Sequence, residues 1–157
     1  MSGLPLQYGI NDYDFVYFDD KNISLEQENR VIEQVRDLYF DLDVKLDVKN
    51  QARVHLWYEQ RFGYAIDPYR SLEEAIDTWP TSATAIGIRR VENAWKVYAP
   101  FGTNDIFAKI IRPNKVQITK EIYEIKVKRW ISFWPDLTII PWENEGEEDV
   151  KWTSQLG

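Results

Sequence analysis

Two aspartates one residue apart are the first residues here whose type and spacing suggest chemistry. Asp12 and Asp14 sit in the run Asn11-Asp12-Tyr13-Asp14-Phe15-Val16-Tyr17-Phe18. That run is dense in aromatic and β-branched residues and predicts a strand over 12–18. Residues two apart on a strand share a face. Both carboxylates therefore point the same way, with Cα atoms about 6.6–6.8 Å apart. Val16 and Phe18 continue that face, so it is apolar at one end and doubly acidic at the other. Carboxylates this close repel each other unless a cation lies between them. The chain has no Cys and one His, His55. An oxygen-only donor set points to Mg²⁺ or Mn²⁺. Two such ions ~3.5–4 Å apart clamp the attacking and leaving oxygens of a phosphoryl transfer. The same Asp-x-Asp also reads as the solvated entrance of a strand.

The elements that must position these residues alternate along the chain. Asp19 to Asn22 form a turn. Ser24 reads as an N-cap with Gln27 as its capping-box partner, before an amphipathic helix over 25–40. Residues 44–49 (VKLDVK) alternate as a strand, and 52–58 (ARVHLWY) read as another. Ser71 and Glu74 make a second capping box, before a short helix that Pro80 follows. Residues 84–91 and 94–99 predict a hairpin around Glu92 and Asn93. A short helix is expected near 105–111, a longer one capped by Thr119 over 120–133, and a last strand over 137–142. Strands and helices interleave, which predicts an α/β or α+β class; an α+β fold with a mixed β-sheet flanked by helices is the one expected.

Composition bounds the function. With 157 residues the chain is long enough for one domain with a real core. That domain is expected over 1–142, followed by an acidic tail, 143–157. The tail opens with Glu143, Glu145, Glu147, Glu148 and Asp149 and reads as a solvated segment. The absence of Cys excludes disulfides, zinc fingers, iron–sulfur clusters and thiol catalysis. A net charge of −7 argues against bulk DNA binding, which needs a basic face. No apolar run approaches the ~18–20 residues of a membrane span, and residues 1–8 lack the pattern of a signal peptide. A cytoplasmic protein with no membrane partner is expected.

The run from Asn11 to Phe18, with Asp19 after it, resembles the Asp-x-Asp strand of the nucleotidyltransferase superfamily. That superfamily includes DNA polymerase beta and the head domain of CCA-adding enzymes. Five later runs are similar to a bacterial family of small nucleotidyltransferase-like proteins of unknown substrate. They are VKNQARVHLWY (48–58), PYRSLEEAIDTWPTSATAIGIR (68–89), YAPFGTNDIF (98–107), IRPN (111–114) and the KRW…WP…TIIPW stretch (128–142). The resemblance spans about residues 11–142. It implies a third carboxylate on a neighbouring strand between apolar residues, and Asp47 in Leu46-Asp47-Val48 matches. By that resemblance Asp12, Asp14 and Asp47 hold Mg²⁺ or Mn²⁺ beneath an NTP, and Asp47 helps deprotonate the acceptor. Asp47 has a second reading, because Lys45, Asp47 and Lys49 share one strand face as a surface ion-pair row. Superfamily members also carry a Gly-Gly or Gly-Ser turn at a helix start upstream of the Asp-x-Asp strand, which cradles phosphate for the reason helix N-termini do. Only eleven residues precede Asp12, and Ser2-Gly3 is followed by no helix-length segment. The cradle is therefore expected to be missing, either because the gene product begins upstream of Met1 or because the chain is a shortened version.

Lys49, Asn50 and Arg53, just after Asp47, are the expected nucleotide contacts; turn chemistry explains Asn50 equally well. Arg89, Arg90, Lys109 and Arg112 are further candidate phosphate contacts, though single basic residues are usually surface. His55 reads as a hydrogen-bonded structural histidine or a phosphate or base contact, and alternation groups it with Arg53 and Trp57. Gly102 to Asp105 reads as a turn and helix cap. Lys120, Lys126, Lys128 and Arg129 with Trp130 and Trp134 make a basic, aromatic helix. It either faces RNA or packs Ile122, Ile125 and Trp130 on the sheet. The leading expectation is metal-dependent transfer of NMP from an NTP to an acceptor hydroxyl on a protein, a small molecule or an RNA end. The alternatives are a non-catalytic relative that binds nucleotide or a partner, and an aromatic-rich ligand-binding module with a fortuitous Asp-x-Asp.

Overall fold

The computed structural model describes residues 3–5 and 7–143. The chain divides into two compact units, one running to Thr78 and one starting at Trp79. The fold is α+β, and among the described residues the strands form three two-stranded ladders, two parallel and one antiparallel.

In the first unit, β1 (Tyr13–Tyr17) leads into α1 (Leu25–Leu38) and then β2 (Leu46–Asn50). The two strands are parallel, and a parallel pair needs such a crossover. Ser24 starts α1 as expected: its hydroxyl accepts from the Gln27 amide at 3.1 Å. The helix ends earlier than the predicted residue 40. Among the described residues ahead of β1 there is a turn at 7–9 and no helix.

The segment 52–58, expected as a strand, is helical. Residues Gln51–Arg53 form a 3₁₀ turn, and α2 follows over His55–Phe62. The cause is Asn50, whose side-chain oxygen accepts from the Ala52 amide at 3.1 Å and turns the chain out of β2. Val54, Leu56 and Tyr58 looked like alternation. Val54 and Tyr58 are buried, which is an i, i+4 helical pair, while Leu56 is 54% exposed. Gly63 closes α2 at φ 84°, the left-handed position that favours glycine. Ser71 caps α3 (Leu72–Asp77) through the Glu74 amide at 3.0 Å. Val35, Val48, Ala52, Val54, Tyr58, Ala75 and Ile76 are buried in this unit.

In the second unit, β3 (Gly87–Val91) and β4 (Ala94–Tyr98) form the expected hairpin, with Glu92 at φ 53° in its two-residue turn. The short helix α4 spans only Asn104–Phe107; Ile110–Ile111 is β5, paired in parallel with β6 (Thr138–Ile139). Helix α5 (Lys120–Phe133) matches its expected bounds, and the Thr119 hydroxyl accepts from the Ile122 amide at 3.4 Å. The core gathers Ala83, Ile111, Ile118 and Tyr123, with Ile122, Trp130 and Trp142 among those packed on it. Ile125 is 70% exposed rather than packed. The Tyr123 hydroxyl lies 3.0 Å from the Ile111 carbonyl and 2.6 Å from that of Ile140, so one proton is shared between the two chain ends that carry β5 and β6. Burial pushes this phenol up to about 12. No helix among the described residues is long and apolar enough to cross a membrane. Apart from Glu143, which pairs with Lys120 at 3.1 Å, the acidic tail lies outside the described residues.

Candidate active site

The β1–β2 register decides where the carboxylates lie. Asp14 stands directly beside Asp47, and Tyr13 beside Leu46. Aligned residues of parallel strands project to the same side, about 4.8 Å apart in the backbone. The ladder continues below β1 through the Tyr13 amide, which donates to the Lys45 carbonyl at 2.8 Å. Asp12 is two residues before Asp14 and shares its side. The Lys45 ammonium, 3.6 Å from the Asp12 carboxylate, marks the same face just ahead of β2. Three carboxylates thus come to one side of a two-stranded ladder, from two segments joined by a helix.

Two lysines are interleaved with them. Lys45 pairs with Asp12, and the Lys49 ammonium donates to Asp47. The ion-pair row that strand alternation suggests for Lys45, Asp47 and Lys49 is therefore present, and it coexists with the carboxylate cluster. Asp14 is exposed, and Asp12 and Asp47 are half-buried, so all three are open to an incoming ligand. Among the described residues no three metal-ligating side chains are already gathered into a cage. The donor set nevertheless fits a hard divalent cation: three carboxylates on one accessible side, two of them already paired with a cationic nitrogen.

Asn50 and Arg53 sit differently from Lys49. The Asn50 side chain accepts from the Asp19 amide at 3.0 Å and donates to the Asp19 carbonyl at 2.8 Å, which ties the loop after β1 to the end of β2. Its own amide donates to Glu28 Oε1 at 2.9 Å. Arg53 pairs with Glu28 Oε2 and donates through Nε to the Ile23 carbonyl at 2.8 Å. Asn50, Arg53 and Glu28 are all buried. This network clamps both strands at the end away from Asp12.

Glu28 went unnoticed in the sequence. Its signal was there: it stands four residues before Ile32 and seven before Val35, on the helical stripe that faces the core. A buried acid on that stripe demands a partner.

His55 begins α2, so it does not share a strand face with Arg53 and Trp57. Its Nδ1 and the Tyr17 hydroxyl are buried and lack hydrogen-bond partners among the described residues. Desolvation raises the Tyr17 phenol, Asp19 adds to the rise, and Arg53 opposes it.

In the second unit Gly102, at φ 74°, turns the chain as expected, and Thr103 stands at the N-cap of α4 without a side-chain cap hydrogen bond. Asp105 accepts from the Ser82 hydroxyl at 2.5 Å and from Arg112 Nε at 3.1 Å, and these bonds, the hydroxyl's first, hold its carboxyl below the usual range. Lys109 pairs with Asp136. Arg112 and Lys109 are thus already engaged, whereas Arg89 and Arg90 lie on the exposed hairpin.

Comparison with known proteins speaks for the fold and the family. A solved chain whose NMR structure is described as revealing a CCA-adding enzyme head domain superposes with a TM-score of 0.65, covering 85% of this chain and 69% of that one at 23% identity. At that identity the likeness speaks for the fold. No curated protein matches the chain. The family profile described as nucleotidyltransferase matches residues 1–139, nearly the whole length. With the Asp-x-Asp strand, its parallel neighbour and this match taken together, the chain belongs to that nucleotidyltransferase family.

Proposed function

We propose that the chain transfers a nucleoside monophosphate from an NTP to an acceptor hydroxyl, with Asp12, Asp14 and Asp47 holding Mg²⁺ or Mn²⁺. The observation that carries this reading is the register: Asp14 beside Asp47, with Asp12 two residues earlier on the same side. When bound, the divalent cation neutralises charge building on the α-phosphate and holds the reacting oxygens in line. The acceptor oxygen forms the new bond to the α-phosphorus, the bond to the β-phosphate oxygen breaks, and pyrophosphate leaves. Asp47 takes the hydroxyl proton, and Asp12 and Asp14 supply the remaining donor oxygens. Lys49 serves as a phosphate contact. Asn50 and Arg53 have their polar groups satisfied inside the protein, so they act as positioning residues that hold β2 in register. An NTP donor is in keeping with the cytoplasmic setting the sequence suggests.

The test is release of pyrophosphate from each NTP in the presence of Mn²⁺ or Mg²⁺ and a panel of protein, small-hydroxyl and RNA acceptors. Metal-dependent release that Asp12→Asn/Asp14→Asn abolishes is the expected result. Metal-dependent NTP binding without release under any condition would favour the non-catalytic nucleotide-binding reading instead.

A further inference from the structure

Along the carboxylate face the ladder pairs Asp14 with Asp47 and Val16 with Lys49, while the Lys45 ammonium lies by Asp12 just before β1. At one end, then, a lysine meets a carboxylate across the strands. At the other, the lysine's lateral neighbour is an apolar residue, and its ammonium pairs with Asp47 on its own strand. The two lysines also differ in burial. The Lys45 side chain is 73% exposed, whereas that of Lys49 is 34% exposed, with its ammonium on the central carboxylate.

We infer that Lys49 is an exchange residue: it occupies Asp47 in the metal-free protein, yields that carboxylate to the divalent cation, and then binds the β- or γ-phosphate of the same nucleotide. This rests on the transferase reading of the site. A single ammonium on a partly exposed carboxylate is outcompeted by a doubly charged ion shared by two carboxylates, because the attraction scales with the charge. The freed ammonium carries three donors on a flexible stem and suits phosphate. The direction follows from the register. On that face the Asp12 end carries a third carboxylate, whereas beyond Asp14 and Asp47 the next lateral pair is Val16 with Lys49, which makes Lys49 the cation there. Lys45 therefore only neutralises, while Lys49 neutralises and then clamps.

The exchange predicts effects of opposite sign from one substitution. In calorimetry with Mn²⁺ alone, Lys49→Met tightens metal binding by about 3–10-fold, because a competing cation is gone. With Mn²⁺ saturating, the same variant binds ATP roughly tenfold more weakly, the loss of one charge-assisted contact. Lys45→Met tightens Mn²⁺ binding without weakening ATP. Lys49→Arg keeps a cation on the strand and stays within about threefold of wild type on both readings, which guards against a fold defect. Wild-type binding of Mn²⁺ and ATP combined with unchanged or tighter ATP binding by Lys49→Met would overturn the exchange while leaving the transferase reading standing. Failure of the wild-type chain to bind either would remove both.

Discussion

Two of the three ladders have the same size and opposite characters. β1–β2 and β3–β4 each pair five residues with five. The first joins distant segments through α1, buries Val48 and Asn50, and is pinned at its end by Asn50, Glu28 and Arg53. Along β2 and the residue before it the charges alternate, Lys45, Asp47 and Lys49, and across the ladder Asp14 stands beside Asp47. The second is a local hairpin, and every residue of it but Gly87 and Tyr98 is exposed. Ile88, Arg90, Trp95 and Val97 share one side, and on the other Arg89 stands directly across from Lys96. Like charges in that position destabilise a sheet. What separates a candidate site from a surface ribbon here is neither strand length nor the presence of charge. It is a buried polar anchor that fixes register, so that carboxylates from separate segments stay side by side.

The largest effect should come from breaking that anchor. Arg53→Met leaves the Glu28 carboxylate buried without its cation, and urea unfolding should show a loss of about 3–5 kcal/mol. Glu28→Leu together with Arg53→Met should recover much of it, since the cost lies in the orphaned charge rather than in the missing pair. Little recovery would mean the pair holds register rather than merely its own charge.

Next comes Tyr123, which does for β5–β6 what Asn50 does for β1–β2. Tyr123→Phe removes the donor shared by two carbonyls and should cost about 1–3 kcal/mol by thermal or urea unfolding. The pH dependence has a definite sign. The folded phenol titrates at about 12 against 10 for an ordinary tyrosine, so its contribution is complete below pH 10 and is lost as pH rises towards 12. Wild type minus Tyr123→Phe should therefore shrink across that window, a comparison that cancels the other alkaline titrations.

The smallest effect belongs to the hairpin. Arg89→Glu turns the like-charged pair with Lys96 into an opposite one and should stabilise by roughly 0.2–1 kcal/mol, fading with salt. A destabilisation would show that the hairpin's basic side is held by something other than strand pairing.

What the sequence disclosed, and what it hid, follows the same division between local and distant. The caps at Ser24, Ser71 and Thr119 and the hairpin at Glu92–Asn93 were legible because their hydrogen bonds lie within a few residues. The shared face of Asp12 and Asp14 was legible for the same reason. The segment 51–62 was misread because Val54 and Tyr58 satisfy both a period of two and an i, i+4 spacing. Gly63 as a helix stop and Asn50 as a helix start were the deciding signals. That Asp47 would stand beside Asp14 depended on a parallel register set by long-range packing. The buried Glu28–Arg53 pair was invisible for that reason too, and with it the positioning role of Arg53.

The proposal stands or falls on whether three aspartates on one face of β1–β2 form a single cation-dependent nucleotide site. The most direct test is calorimetric titration of the purified chain with Mn²⁺ and then each NTP, alongside Asp12→Asn/Asp14→Asn and, separately, Asp47→Asn. Metal-dependent NTP binding is expected in the wild-type chain and lost in both variants, with melting temperatures showing all of them folded. Metal-dependent binding that survives unchanged in both variants would place the site elsewhere and contradict the proposal.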